Sequence, residues 1–164
     1  MKLLIMSDTH SNTKIMEQVI ERREEEVDAI IHCGDSELQA SYFDDHLHVV
    51  RGNCDMDDNF PLEDVFSVQN TKILVVHGHK YNVKSTITPL FFRAQEVQAS
   101  VVCFGHSHLL GAEMQQGILF INPGSLQQPR GRKEKSYAIA ENTGDSWTVL
   151  FYSDEHILLE KVTL

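Results

Sequence analysis

Five largely apolar runs constrain this chain most, because each one ends in polar residues of the kinds that bind metal ions. Runs of this length, bounded by glycine and turn-forming residues, are typical of buried β-strands. Ligand sites in open α/β sheets lie at the carboxyl ends of the strands, so we expect one site that draws on the whole chain. The runs are 2–6, 27–33, 47–50, 73–76 and 101–104, and the polar residues after them are Asp8, His10, Asp35, Asn53, His77, His106 and His108.

The fifth run ends in His106 and His108, which one residue separates. Side chains two positions apart on an extended segment point to the same side, so both imidazoles can reach one small volume. One such pair is a weak signal, because most isolated Asp-x-His or His-x-His pairs have surface or capping roles. The recurrence of such residues at five successive strand ends indicates a metal site instead.

The segments between the runs favour alternating helices and strands, followed by strands alone. An amphipathic helix is expected from a cap at Ser11 or Asn12 to about Glu26, and a second helix that Thr88 caps. The last third predicts an antiparallel meander, so we expect a single α/β domain over residues 1–164 with mixed sheets. Further predicted elements are a short helix at 36–43, an edge strand at 65–68, strands at 118–121, 137–140, 147–152 and 157–162, and a turn at 142–145.

The net charge of −10 argues against a general binder of nucleic acids or membrane surfaces, because polyanions would be repelled. It does not exclude an anionic substrate, since bound metal ions would reverse the local field. No apolar run is long enough to cross a bilayer or to form a signal-peptide core. The cysteines at 33, 54 and 103 lack the spacing of a thiolate zinc site, so we expect a reducing, cytoplasmic compartment.

The ligand types predict the chemistry of the site. Two carboxylates, one carboxamide and four imidazoles suit Mn²⁺, Fe, Zn²⁺ or Ni²⁺, and are too rich in nitrogen for Ca²⁺ or Mg²⁺. Seven ligands exceed the needs of one tetrahedral ion but suit two divalent ions that share a carboxylate, and we expect Mn²⁺. Two ions ~3.5–4 Å apart can hold the attacking and leaving oxygens of an in-line displacement at phosphorus.

The motifs resemble those of the calcineurin-like metallophosphoesterase superfamily, over residues 2 to about 125. In order they are Asp8-x-His10, Gly34-Asp35, Gly52-Asn53-x-Asp55, His77-Gly78-His79 and Gly105-His106-x-His108. The small size and the segment 122–125 are similar to the compact bacterial and archaeal phosphodiesterase branch. The resemblance implies a four-layer α/β/β/α sandwich with two mixed β-sheets and a dinuclear metal site at the carboxyl ends of the strands, between the two halves.

The resemblance also implies a role for each ligand. Asp35 would bridge two ions, a water or hydroxide between the ions would attack phosphorus, and Asn53 would also contact the phosphate. The reaction would be hydrolysis of a small phosphate ester, with a phosphodiester as the expected substrate. The first ion would be held by Asp8, His10, Asp35 and His108, and the second by Asp35, Asn53, His77 and His106.

Two other functions remain open for such a chain. One is a phosphomonoesterase, either a protein phosphatase or a nucleotidase. The other is a non-catalytic protein-binding scaffold of the same fold, as in a retromer subunit whose metal site is degraded. All seven ligands here match the catalytic form, which weighs against the scaffold. A homo-oligomer is compatible with either function.

Cys54 departs from the pattern of many relatives, which carry a histidine there that is the usual candidate for protonating the leaving group. A neutral thiol is a poor acid. His79 is the nearest alternative acid, and it could equally orient a ligand. The cysteine form is also common in the small phosphodiesterase branch, so we expect an active enzyme that is weak on esters with poor leaving groups.

Other polar residues have simpler interpretations. His32 lies within an apolar run, which is typical of a hydrogen-bonded core histidine, and Asp55 is expected to hydrogen-bond the loop around Asn53 or to orient a ligand. Arg130 belongs to a basic cluster that is either a solvated turn or a group that steers an anionic substrate. The other members of that cluster are Arg132, Lys133 and Lys135, and the histidines expected at the surface or on edge strands are His46, His48 and His156.

Overall fold

Two mixed β-sheets and two α-helices account for the regular structure in the computed structural model, which describes residues 1–144 and 146–164. The strands are β1 (Lys2–Met6), β2 (Ala29–His32), β3 (Leu47–Val49), β4 (Glu63–Val68), β5 (Thr71–Val76), β6 (Val101–Cys103), β7 (Leu110–Gln115), β8 (Ile118–Pro123), β9 (Tyr137–Asn142), β10 (Trp147–Tyr152) and β11 (Leu158–Thr163). The helices are α1 (Thr13–Arg23) and α2 (Thr88–Val97), and single 3₁₀ turns lie at Glu24–Glu26, Ala40–Tyr42 and His79–Tyr81.

The first sheet has the order β11-β10-β9-β1-β2-β3, and the second has the order β4-β5-β6-β8-β7. In the first sheet β1, β2 and β3 run parallel, whereas β9, β10 and β11 form the predicted antiparallel meander. In the second sheet β5, β6 and β8 run parallel, and β4 and β7 are antiparallel edges. Each sheet therefore carries a parallel group whose carboxyl ends form one rim.

Side chains that point alternately to the two faces of each strand explain the four layers. Leu3 and Ile5 of β1 pack in the cluster between the two sheets, whereas Leu4 and Met6 pack on the opposite face against α1. The second sheet repeats this arrangement, because Leu74 of β5 packs outward against α2. Both faces of each central strand are buried, which is why the runs are continuously apolar. The predicted α/β/β/α sandwich is confirmed.

The two helices start close to the predicted positions. The side chain of Asn12 accepts a hydrogen bond from the backbone N–H of Ile15, so Asn12 is the cap of α1. The helix ends at Arg23 and gives way to a 3₁₀ turn, so the prediction of a helix to about Glu26 is too long. Thr88 is the first residue of α2 and not its cap.

The predicted helix over 36–43 is wrong, because only a 3₁₀ turn at Ala40–Tyr42 forms. Two carboxylates hold this segment as a loop: Asp55 accepts from the backbone N–H of Glu37 at 2.6 Å, and Asp57 accepts from that of Ala40 at 2.8 Å. These side chains satisfy N–H groups that a helix would otherwise use.

Two further differences concern the strands after residue 105. Strand β7 is not predicted from the sequence, because its residues do not form an apolar run. Its outward positions hold Gly111, Glu113 and Gln115. Strand β8 belongs to the second sheet beside β6, and only β9, β10 and β11 form the meander. The predicted turn at 142–145 includes Asp145, which lies outside the described residues.

Neither helix in the described part of the chain has the length and apolar character needed to cross a membrane. Cys33 and Cys103 are buried thiols and Cys54 is an exposed one. A reducing, cytoplasmic compartment stays a prediction.

His32 is buried and hydrogen-bonded, as predicted for a core histidine. Its Nδ1 accepts from the backbone N–H of Gly34 at 3.2 Å, so Nε2 carries the proton and donates to Thr9 Oγ1 at 3.0 Å. Desolvation in the interior lowers the pKa of His32 from 6.5 to about 4. The folded protein therefore keeps this imidazole neutral where the unfolded chain protonates it.

This difference predicts that His32 makes the metal-free protein less stable in acid. Between pH 6.5 and about 4 the unfolded state binds a proton that the folded state rejects, so the free energy of unfolding falls as the pH falls. The loss between pH 7.5 and 5 should be about 2 kcal/mol. Urea unfolding of His32→Asn should show a pH dependence weaker by that amount, and exposed His46→Asn should match the wild type. An unchanged pH dependence in His32→Asn would contradict the assignment.

Candidate metal centre

The carboxyl ends of the parallel strands bring the predicted ligands together. His77 Nε2, at the end of β5, lies 3.3 Å from Asp35 Oδ2 and 3.1 Å from Asn53 Oδ1, which follow β2 and β3. His108 Nε2, after β6, lies 3.0 Å from Asp8 Oδ1, which follows β1. The contacts join one sheet to the other, so the site lies where the two rims meet.

The imidazoles of the site lie close to one another. The ring centres of His10 and His108 are 5.5 Å apart, and those of His77 and His106 are 5.0 Å apart. His79 is also near, with its ring centre 5.4 Å from that of His77. All seven predicted ligands thus lie in one region at the meeting of the two sheets.

Three groups of donor atoms in the described residues are spaced closely enough to hold a metal ion. Two consist of predicted ligands: atoms of Asp8, His10 and His108 lie within 4.8 Å of one another, and so do atoms of Asp8, Asp35 and His77. The third joins His10 to Glu37 and Cys54. Asp8 is common to the first two groups, and Asp35 lies within reach of both Asp8 and His77, which the resemblance assigns to different ions.

Hydrogen bonds from Nδ1 fix the orientation of three imidazoles. His77 Nδ1 donates to the carbonyl oxygen of Cys33 at 2.8 Å, and His108 Nδ1 donates to that of Gln128 at 2.6 Å. His10 Nδ1 donates to the Glu37 carboxylate at 2.6 Å. In each ring Nε2 is therefore left for the site.

This orientation makes the residues a good fit for divalent cations. With Nδ1 donating, the Nε2 lone pair of a neutral His77 faces oxygens of Asp35 and Asn53, and that of His108 faces Asp8. Lone pairs so placed repel unless a proton or a metal ion lies between them. Asp8 Oδ1 and His10 Nε2 are also buried without a hydrogen-bond partner, which is costly without a ligand.

The electrostatics of the site agree with this fit. Burial raises the pKa of Asp8, but the close contact with His108 Nε2 and the charge of His77 outweigh it, and the net pKa is lowered. Asp35 behaves in the same way, with His77 as its main partner. Desolvation opposes protonation of His77, yet Asp35 and Asp8 raise its pKa above 6.5. Protons therefore compete with metal ions, and acid should weaken metal binding.

Five of the seven predicted ligands have a left-handed backbone, which non-glycine residues seldom adopt. Backbone strain of this kind clusters at functional sites, where the surrounding structure maintains it. Here it follows the strand ends, where the chain must turn sharply while its side chains stay in the site. The residues and their φ values are Asp8 (55°), His10 (44°), Asp35 (54°), His106 (66°) and His108 (59°).

Two glycines permit the close approach of the loops. A Cβ atom on Gly52 would overlap Asp35 Oδ1 and the Asp35 backbone nitrogen. A Cβ atom on Gly105 would overlap Ser7 Oγ and lie 2.7 Å from Asp8 Oδ2. Both glycines stand directly before predicted ligands, and sequence spacing alone does not reveal that their side chains are excluded.

Asp55 organises the loops around Asn53, as one of its two interpretations predicts. Its carboxylate accepts from the backbone N–H groups of Asp35 at 2.8 Å and Gly52 at 2.7 Å, and from Ser36 Oγ at 3.1 Å. It thereby fixes the loops after β2 and β3 relative to each other.

Residues outside the motifs also position the ligands. Ser125 Oγ donates to the carbonyl oxygen of Asp8 at 2.8 Å, and Ser7 Oγ donates to Asp8 Oδ2 at 2.6 Å. Sequence reasoning missed these serines, together with Glu37 and Gln128, because each contact is made by a residue type with many other uses. The segment 122–125 drew attention to Ser125, but without a role.

Three other predicted residues lie at the edge of the site. Cys54 is exposed, and its backbone N–H donates to Asp35 Oδ1 at 2.7 Å. His79 Nδ1 is buried without a hydrogen-bond partner. The Arg130 side chain is exposed, while its backbone N–H donates to the carbonyl oxygen of His108 at 3.1 Å.

The histidines predicted at the surface lie outside the metal centre. His46 is exposed, and His48 lies on edge strand β3 beside Asp64, 2.7 Å away, and stacks on Phe66. His156 hydrogen-bonds to the hydroxyl of Tyr137 at 3.0 Å.

Comparison with known proteins agrees with the geometry. Residues 1–145 match the model of the calcineurin-like phosphoesterase superfamily domain, and the chain belongs to this family. It is 44% identical over 153 residues to the probable metallophosphoesterase YsnB of Bacillus subtilis, covering 93% of this chain and 90% of that one. It is 26% identical over 187 residues to the phosphodiesterase YfcE of Escherichia coli, covering 98% and 97%. The enzymes of the family are metal-dependent hydrolases of phosphoric esters.

A solved structure from Streptococcus pneumoniae TIGR4, described as a predicted phosphoesterase, has the same fold. It superposes with a TM-score of 0.91 and 34% sequence identity, covering 99% of this chain and 97% of that one. The likeness extends through the meander, beyond the motifs that carry the sequence resemblance.

The close approach at Gly52 predicts a selective loss of metal from Gly52→Ala. The added methyl group would displace Asp35, which lies within reach of Asp8 and His77, so bound metal should fall by at least half. Elemental analysis of the folded variant measures the loss. Gly111→Ala is the matched control, because a Cβ atom there meets no atom within 4 Å. Equal metal content in both variants would contradict the proposed crowding.

Proposed function

We propose that this protein is a Mn²⁺-dependent phosphodiesterase whose site binds two divalent ions. The observation that carries the proposal is the pair of contacts in which His77 Nε2 and His108 Nε2 face carboxylate oxygens. Such contacts are satisfied by a proton or by a metal ion between the partners, and nitrogen–oxygen ligand sets of this kind suit Mn²⁺.

Four residues would hold each ion, with Asp35 common to both sets. Asp35 suits this role because it lies within reach of Asp8 on one side and of His77 on the other. Its low pKa, which the hydrogen bond to His77 maintains against burial, keeps it ionised at neutral pH. The first set is Asp8, His10, Asp35 and His108, and the second is Asp35, Asn53, His77 and His106.

When bound, the two ions would supply Lewis-acid stabilisation of the phosphoryl oxygens and a nucleophile from water. The residues of the chain hold and orient the groups around them. Asn53 is exposed, and its amide nitrogen is 3.3 Å from Cys54 Sγ, a weak partner that a phosphate oxygen can replace. We assign to Asn53 a contact with the substrate phosphate.

Neither neighbouring candidate is a strong acid for the leaving group. Partial desolvation, together with the Asp35 carboxylate, raises the pKa of the otherwise exposed Cys54 thiol to about 11. Burial and the nearby His77 lower the pKa of His79, so its imidazole is neutral at pH 7 and has little tendency to donate a proton. Departure of the leaving group therefore depends on the ions and on the acidity of its own alcohol.

Two considerations favour a diester over a monoester. The relative YfcE is named a phosphodiesterase. The Glu37 carboxylate, hydrogen-bonded to a ligand histidine at the edge of the site, repels a monoester dianion more than a diester monoanion. Phosphomonoesterase activity and a non-catalytic scaffold are the outcomes that would replace the proposal.

Metal removal and reloading test this function. Protein stripped by a chelator should be inactive, and Mn²⁺ should restore hydrolysis of bis(p-nitrophenyl) phosphate with two ions per chain by elemental analysis. Turnover of p-nitrophenyl phosphate should be lower under the same conditions. Asp35→Asn should lose most of the activity and bound metal, because both ligand sets include it, while exposed Asp44→Asn should keep both.

Faster turnover of the monoester would indicate a phosphomonoesterase. Metal binding without turnover of either ester would indicate the scaffold.

The lack of a strong acid predicts a steep dependence on the leaving group. Rates should fall sharply from nitrophenyl to alkyl leaving groups, because negative charge develops on the departing oxygen without protonation. Cys54→His should flatten this dependence, because a general acid at this position would raise the rate for the poorest leaving groups by up to roughly 10²–10⁴-fold. A leaving-group series at saturating metal and constant pH measures the slopes.

Cys54→Ala is the control, because a thiol that keeps its proton contributes little to proton transfer. A large loss in Cys54→Ala would show that the thiol acts in the reaction. A shallow slope in the wild type would instead identify another acid, with His79 as the first candidate.

A further inference from the structure

A cleft of about 500 Å³ lies on the outer face of the second sheet, beside the metal centre. It runs between strand β7 and the segment 83–87, which precedes helix α2. The apolar residues that line it include Val83, Ile87, Phe104, Leu109 and Phe120.

The cleft lies beside the loop that carries two of the predicted ligands. Ser107, which lines it, stands between His106 and His108 in the chain. Arg130, which also lines it, donates its backbone N–H to the carbonyl oxygen of His108. The loop that holds His106 and His108 therefore also forms part of the wall of the cleft.

Two cations stand at the rim of the cleft. Lys84 and Arg130 are exposed, and neither forms an ion pair with a carboxylate of the described residues. Glu113 is the single carboxylate among the described lining residues, so the cations outnumber it. This is unusual for a chain with a net charge of −10, and it gives the cleft an attraction for anions.

Gly111 keeps the centre of the cleft open. Its neighbours Leu110 and Ala112 face the core between the sheets, so position 111 faces outward toward the cleft. A Cβ atom there meets no atom within 4 Å, so a side chain at this position can start into the cleft without a clash at its Cβ atom. Apolar residues therefore surround a position that has no side chain, and the space between them stays free.

We propose that this cleft is a substrate subsite that binds an apolar, preferably aromatic, ester group of a phosphodiester whose phosphoryl group lies in the metal centre. Lys84 and Arg130 attract the diester anion, and the apolar walls select the ester group. The proposal rests on the proposed function for its choice of ligand. Pockets with apolar walls and a few polar groups near a reactive centre are the usual form of small-molecule sites.

Binding of two probes that cannot be hydrolysed, because carbon is bonded directly to phosphorus, tests the subsite without turnover. Isothermal titration of the Mn²⁺-loaded protein should give an affinity for diphenylphosphinate at least roughly tenfold higher than for dimethylphosphinate, because a buried ring gains apolar contact. Gly111→Phe should remove this preference and leave the affinity for dimethylphosphinate unchanged. Gln115→Phe is the matched control, since it lies on the same face of β7 outside the cleft. Equal affinity of the wild type for the two probes would overturn the subsite.

The role of the cations is measured separately. Lys84→Gln should lower the affinity for both probes by a similar factor, roughly two- to fivefold. The loss should be larger at low salt than at high salt. Exposed Lys133→Gln is the matched control. A loss confined to diphenylphosphinate, or no loss at all, would overturn the electrostatic role.

The experiment separates failure of the subsite from failure of the proposed function. Hydrolysis of phenyl and methyl esters of p-nitrophenyl phosphate, which share a leaving group, should differ in KM by the same factor as the two probes differ in affinity. If neither ester is hydrolysed, the proposed phosphodiesterase function is wrong, and the affinity ratio still decides the subsite. If both are hydrolysed with equal KM, the subsite alone is wrong.

Discussion

The apolar layer between the two sheets sets the geometry of the metal centre. Each sheet supplies only part of the predicted ligands, and the layer in which Leu3 and Ile5 meet Ile73 and Val101 fixes the separation of the strand ends. Interiors of this density do not deform continuously. A shift of one sheet against the other would separate His77 from Asp35 and His108 from Asp8 together. The fold thus determines the ligand distances through packing far from the ligands themselves.

The close approach of the loops and the burial of two carboxylates both follow from that packing. The loops come so near each other that Gly52 and Gly105 have no room for a side chain, and buried Asp8 and Asp35 face the imidazoles of the other sheet. Burying these groups costs free energy that hydrogen bonds only partly offset, since Asp8 Oδ1 has no hydrogen-bond partner. Divalent cations would remove that cost, and metal binding and stability are therefore linked at this site.

Much of this arrangement can be predicted from the sequence, for identifiable reasons. Central parallel strands are buried on both faces, so they occur as short apolar runs, and ligand side chains follow directly after them. The same logic fails for β7, an edge strand whose outward positions are polar or glycine. It also fails for 36–43, where a distant carboxylate, Asp55, overrides local helix propensity.

The contacts that orient the ligands are harder to predict, because they join residues far apart in sequence. Gln128 receives the hydrogen bond of His108 through a backbone carbonyl, which any residue type would provide. Glu37 lies in a segment whose sequence favours a helix, so its contact with His10 is not expected. The cleft beside the centre depends on an absent side chain at Gly111, and a lone glycine in a strand is equally typical of a bulge or a tight bend.

Weak acid catalysis and the neighbouring cleft both restrict which phosphate esters could be substrates. With a Cys54 thiol that retains its proton and a neutral His79, the protein has little means to assist a poor leaving group. Selection among phosphate esters then depends on the acidity of the leaving alcohol and on what the surface beside the ions can bind. An aromatic ester meets both conditions, because an aryl alcohol is more acidic than an alkyl one and its ring matches apolar walls. If the proposed function holds, the features that limit acid catalysis would also narrow the class of ester that the protein accepts.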